Sequence, residues 1–126
     1  MAIETIYTDQ APAPIGPYSQ GKKVGGFIFT AGQIGLDGQG RIVDGGVSAQ
    51  TRQAIENLRA ILEAGGSGLE NVVKTLIFLA DMEDFAAVNA VYGEYFGVSV
   101  PARSTVQAAR LPKDALVEIE AIAHVE

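Results

Sequence analysis

Two short runs in the last quarter of the chain hold the residue types best suited to chemistry on a small acid. In Ala102 to Ala108, read as an extended strand, Arg103, Thr105 and Gln107 alternate with Ala102, Ser104, Val106 and Ala108. In Leu116 to Val125, Glu118, Glu120, Ile122 and His124 oppose an apolar set of Val117, Ile119, Ala121 and Ala123. A turn opening at Leu111-Pro112 separates the two, a spacing that lets them pair as neighbours. Arg103 would then lie near Glu118 or Glu120, on the sheet face away from any helices. One reading is a cross-strand ion pair on a wet surface, worth ~1 kcal/mol or less. The other needs that face half-buried. A guanidinium in a cleft grips a carboxylate through parallel hydrogen bonds, and a glutamate beside it takes or delivers a proton through a water. Such a site calls for no metal and no organic cofactor.

Further residues offer weaker signals. Pro17 stiffens Ile15-Gly-Pro-Tyr-Ser-Gln20 and sets Tyr18 at a loop-to-strand junction, as a buried loop anchor or as a wall over a ligand. In Thr30-Ala-Gly-Gln33, Gly32 is a bulge or turn residue, or a point of close backbone approach. On pattern alone Asn89 reads as a capping or crosslinking residue, Lys74 as a solvated or pairing lysine, and His124 as a surface or edge histidine. The glycines form neither a dinucleotide fingerprint nor a phosphate-binding loop.

Ordinary elements must position these groups. Ile3 to Thr8 reads as a first strand, and Ala11 to Pro17 as an extended loop. Tyr18 to Lys23 and Phe27 to Ala31 form a hairpin about Gly25-Gly26. Turns follow at Asp37-Gly38 and Gly40, with a short strand over Arg41 to Val43. Ser48 reads as the N-cap of a helix carrying Ile55, Leu58, Ile61 and Leu62, which Gly65-Gly66 ends. Val72 to Leu79 is a strand. Glu83 to Phe96 is a second helix with Phe85, Val88, Tyr92 and Phe96 on one side. The order predicts an α+β fold with two helices on one face of a mixed sheet. In the strand Val72 to Leu79, Val73, Ile77 and Leu79 point one way, and Val72, Leu76 and Phe78 the other. Both faces therefore want cover, and no third helix supplies it. We expect a homo-oligomer packed through the open face, unless the N-terminal segments cover it.

Composition narrows the classes. The 126 residues fit one domain, 1–126, with 48% hydrophobic and 19% charged residues. Net charge is −6 with no dense basic patch, which disfavours nucleic acid as a partner. With no cysteine and one histidine, disulfides, a thiol nucleophile and histidine-rich metal sites are excluded. No run approaches a membrane span and no basic leader precedes an apolar run, so the expected compartment is the cytoplasm.

Pro101-Ala-Arg-Ser-Thr-Val106 followed by Val117-Glu-Ile119 resembles the signature of the RidA (YjgF) family of imine and enamine deaminases. Ile15 to Gln20, Thr30 to Gly35, Gly45 to Leu58 and Val72 to Tyr92 resemble that family's blocks in the same order, from about Thr8 to Val125. The resemblance implies a chorismate-mutase-like fold, related to the ferredoxin-like one, assembled as a homotrimer with clefts between subunits. It implies cofactor-free hydrolysis of 2-iminobutanoate and 2-iminopropanoate to 2-oxo acids and ammonia. It assigns Arg103 to the substrate carboxylate and Glu118 to the water, with Glu120 as the fallback. Tyr18 would line the cleft, Gly32 and the Thr105 amide would contribute backbone groups, and Lys74 and Asn89 would lie nearby. Many relatives carry cysteine at Thr105 and serine at Ala31, so a hydroxyl role at position 31 is in doubt here.

Overall fold

The computed structural model describes residues 2–126. Its order is β1 (Glu4–Ile6), β2 (Gly21–Val24), β3 (Phe27–Thr30), β4 (Gln33–Ile34), α1 (Gly46–Ala64), β5 (Val72–Leu79), α2 (Phe85–Phe96), β6 (Ala102–Gln107) and β7 (Val117–His124). The strands make one mixed sheet in the order β1-β2-β3-β7-β5-β6. β4 shares the β3 side of β7. Both helices lie on one face, as the sequence predicts. Ile55, Leu58, Ile61 and Leu62 of α1 and Val88 and Phe96 of α2 close over Ile28, Ile77, Leu79, Val117 and Ile119.

Several local expectations hold for their stated reasons. The β2–β3 hairpin turns on Gly25 (φ 59°) and Gly26 (φ 83°), the paired positive φ values of a two-residue turn that matches strand twist. Helix α1 ends where Ser67 N–H donates to Leu62 O across the left-handed Gly66. Other expectations need correction. Ser48 does not cap α1. Gly45 and Gly46 take φ 114° and 74°, so the chain turns there and the helix starts ahead of the serine, with no side-chain cap. Arg41 to Val43 forms only an isolated bridge, Leu36 with Ile42. The strand predicted from Tyr18 begins at Gly21, because Tyr18 N–H donates to Gly16 O and holds a turn. Helix α2 begins at Phe85 after a single turn of 3-10 helix over Met82–Asp84.

Strand β5 is the last strand but one, paired on both edges. β7 runs antiparallel on one side of it and β6 parallel on the other. A register shift between Val72 and Lys74 changes its phase: Val72 is 4% exposed and Val73 45%, the reverse of what simple alternation suggests beside Ile77. Beyond the shift, Thr75, Ile77 and Leu79 face the helices, and Leu76 and Phe78 face the open side. Part of that side is covered by the chain's own Ile34, Leu36, Leu111 and Ala115, against which Phe78 packs. The rest is bare, with Phe29 44% exposed.

Candidate active site

The sheet register separates the arginine from the glutamates. β5 lies between β6 and β7, so the two strands do not pair. Arg103 stands opposite Thr75, a residue buried under the helices, and shares its face. Glu118 and Glu120 stand opposite Phe78 and Leu76, on the open face. Two strand spacings of about 4.8 Å and three residues of about 3.3 Å each put the Cα atoms of Arg103 and Glu118 about 14 Å apart. The expectation that one chain brings Arg103 beside Glu118 or Glu120, away from the helices, is therefore corrected. The reason is that β5, apolar on both faces at Leu76 to Leu79, takes the place between β6 and β7 and keeps them apart.

Glu118 sits in a prepared place. Its neighbours across the ladder are Ile34 of β4 and Phe78 of β5. Between Phe29 and Gln33 the β3–β4 segment advances four residues while β7 advances three, from Ile122 to Ile119, so one residue bulges out. The bulge contains Gly32. A Cβ there would overlap Glu118 Oε2 and lie 2.8 Å from Cδ, so the absence of a side chain admits the carboxylate. Thr30 Oγ1 accepts the Ala121 N–H at 3.0 Å beside the break. Burial against these apolar neighbours pushes the Glu118 carboxyl above its ordinary value, and the Glu120 charge on the same face adds to the effect.

Glu118 and Gly32 open into a cleft of about 220 Å³ with Tyr18, Ile15, Ile34 and Lys113 among its walls. Tyr18 is half-exposed, and its hydroxyl accepts the Ile15 N–H at 3.3 Å. Gln20 steadies the loop behind it: its Nε2 donates to Thr8 O and Pro12 O, and its Oε1 accepts the Thr8 N–H. Asn57 of α1 fixes the other wall by donating to Ile34 O and Leu36 O. Lys113 was not anticipated. Its left-handed backbone (φ 55°) carries no sequence signal, because glycine or asparagine is the usual occupant of that conformation.

Arg103 and Asn89 line a different groove, of about 390 Å³, with Tyr92 and Pro101. Thr105 lies on the same side of β6, and its buried hydroxyl has no hydrogen-bond partner among the described residues. Lys74 is exposed on the open face, in neither hollow. His124 is exposed at the end of β7, edge-on to Phe27. Tyr18, Gly32 and Glu118 thus share one hollow, and Arg103 and Asn89 line another. Among the described residues no group of three or more acidic, histidine or cysteine side chains is placed to hold a metal. Among the described residues no helix is long and apolar enough to cross a membrane.

Comparison with known proteins gives concordant results. A profile of the family described as Endoribonuclease L-PSP matches residues 8–125. A RutC family protein of Pyrococcus abyssi is 57% identical over 127 residues, covering 100% of both chains. The 2-iminobutanoate/2-iminopropanoate deaminase of Salmonella typhimurium is 50% identical over 123 residues, covering 95% of this chain and 96% of the relative. The crystal structure of Escherichia coli TdcF with bound serine superposes with a TM-score of 0.92 at 43% identity, covering 98% of this chain and 99% of that one.

Proposed function

We propose, from the premise that this chain belongs to the RidA (YjgF) family, that it is a hydrolytic deaminase. Its substrates would be 2-iminobutanoate and 2-iminopropanoate, and its products the 2-oxo acids and ammonia. The observation that carries the reading is Glu118: a half-buried carboxyl with a raised pKa, set over Gly32 in a small cleft. Water adds to the imine carbon and a proton goes to the nitrogen. The resulting carbinolamine then releases ammonia as the C–O double bond forms. A carboxyl that takes a proton from water and returns one to nitrogen typically contributes ~10² to 10⁴-fold, most when its pKa is moved toward the working pH. The imine carbon is already electrophilic, so orientation supplies much of the remainder. Arg103 provides that orientation by gripping the substrate carboxylate, with the Thr105 amide and Asn89 as further contacts; Lys74, on the open face, would contribute only from the other protomer's side.

Arg103 and Glu118 lie on opposite faces of one chain, which supports a site shared between chains: the Glu118 half-site of one protomer facing the Arg103 half-site of the next. The bare open face supports the same assembly, which we propose is a homotrimer of single-domain chains in the cytoplasm. Arg103→Ala should nearly abolish turnover, and Arg103→Lys should also be poor, since an ammonium cannot reproduce the fork. Ammonia release from imine generated in place by an amino-acid oxidase is the assay. An Arg103→Ala protein as fast as its parent would refute the assignment.

A second reading, a non-catalytic module that binds small carboxylates and regulates a partner, draws support from the serine bound in the TdcF structure. Glu118→Gln separates the two. The enzyme loses turnover and keeps its affinity for 2-oxobutanoate, whereas a binding module shows no Glu118-dependent turnover at all. An RNA-cleaving role is disfavoured by the net charge of −6.

A further inference from the structure

Arg103 does not hang free in solvent. Its guanidinium carbon lies 4.9 Å from the centre of the Tyr92 ring and 5.4 Å from that of Phe85. Among the described residues the ion pairs are Arg52–Glu94, Arg59–Glu56 and Arg110–Asp114, so no carboxylate of this chain takes up the Arg103 charge. Phe85, Asn89 and Tyr92 are spaced i, i+4, i+7 and share the side of α2 that runs beside β6.

The two rings differ in how they are held. Tyr92 is 7% exposed, and its hydroxyl makes a 2.6 Å hydrogen bond with Thr75 Oγ1, itself 1% exposed. Thr75 is the residue directly across the ladder from Arg103. Burial raises the Tyr92 pKa, so the phenol stays neutral beside the cation. Phe85 is 40% exposed and lies outside the main core, which leaves its packing role unexplained until the arginine beside it is considered.

We propose that Phe85 and Tyr92, the latter locked by Thr75, are positioning residues that hold the Arg103 guanidinium in one orientation for an incoming carboxylate. Arginine has many rotamers, and a ligand that must freeze them binds more weakly. Aromatic faces beside the guanidinium restrict it in advance by cation–π attraction, while its in-plane N–H donors stay open for a carboxylate. The shelf therefore sets affinity for the acid anion and leaves the hydrolytic step to Glu118. The inference rests on the reading of Arg103 as the carboxylate clamp.

Phe85→Leu is the cleanest test, because it keeps apolar bulk at an exposed position and removes the ring. Calorimetric titration with 2-oxobutanoate and imine-hydrolysis kinetics should show Kd and KM raised about 2- to 5-fold, the size of a surface cation–π contact. The kcat and the melting temperature should stay at parental values, and Phe85→Tyr should restore binding. Tyr92→Phe keeps the ring and breaks the Thr75 lock; it should raise Kd by less. A purely structural role would instead lower the melting temperature and leave Kd unchanged. Parental Kd and KM in both Phe85→Leu and Tyr92→Phe, with binding lost in Arg103→Ala, overturns the shelf alone. Parental binding in Arg103→Ala overturns the clamp, and the shelf with it.

Discussion

Glu118 is the residue on which the proposed chemistry turns, and its environment gives a test independent of turnover. Apolar neighbours and Glu120 raise its pKa in the folded chain. The folded state therefore binds the proton more tightly than the unfolded state does. Its favourable contribution is complete below the ordinary value of 4.5 and is lost as pH rises through the raised one. Glutamine cannot ionise. Glu118→Gln should thus gain stability relative to the parent between about pH 4.5 and neutrality, and the difference should shrink below about pH 4. Thermal melts across that range read it directly. A difference that grows toward acid would mean a stabilised carboxylate, and the proposed proton role would fail.

The elements around the cleft are tied down by buried amides more than by caps. Asn57 joins α1 to the backbone on both sides of the β4 edge, with bonds of 3.2 Å to Ile34 O and 3.1 Å to Leu36 O, and its own carbonyl accepts from Gln53. Asn57→Ala leaves two carbonyls without their partner and should cost about 1–3 kcal/mol in chemical denaturation. It should also loosen the wall that holds Ile34 against Glu118 and so reduce turnover in the folded protein. Normal stability in the variant would show that water replaces the amide without loss.

For the whole molecule, the separation of Arg103 from Glu118 makes a prediction about assembly. Arg103→Ala chains keep the glutamate half-site, and Glu118→Gln chains keep the arginine half-site. Each is expected to be inactive alone. Refolded together, adjacent unlike chains would form complete sites and recover part of the parental rate. Failure to recover, with mixed oligomers demonstrated by sedimentation and mass, would place both groups in one chain's site.

The parts governed by local rules were legible in the chain. Glycine pairs placed the Gly25-Gly26 turn, where both take positive φ, and the end of α1, where Gly66 does, and helical period picked out Ile55 to Leu62. Alternation put Glu118 opposite the buried Val117 and Ile119 faces. The ordered blocks around Arg103 and Glu118 pointed to the family. What alternation cannot supply is the identity of a strand's neighbours, because period two is satisfied by any partner. That β5 stands between β6 and β7, that Arg103 turns toward α2, and that the β3–β4 bulge brings Gly32 under Glu118 emerges in the folded chain alone. Each of these depends on long-range register, which pairs residues far apart in the chain and is not encoded in any short window of it.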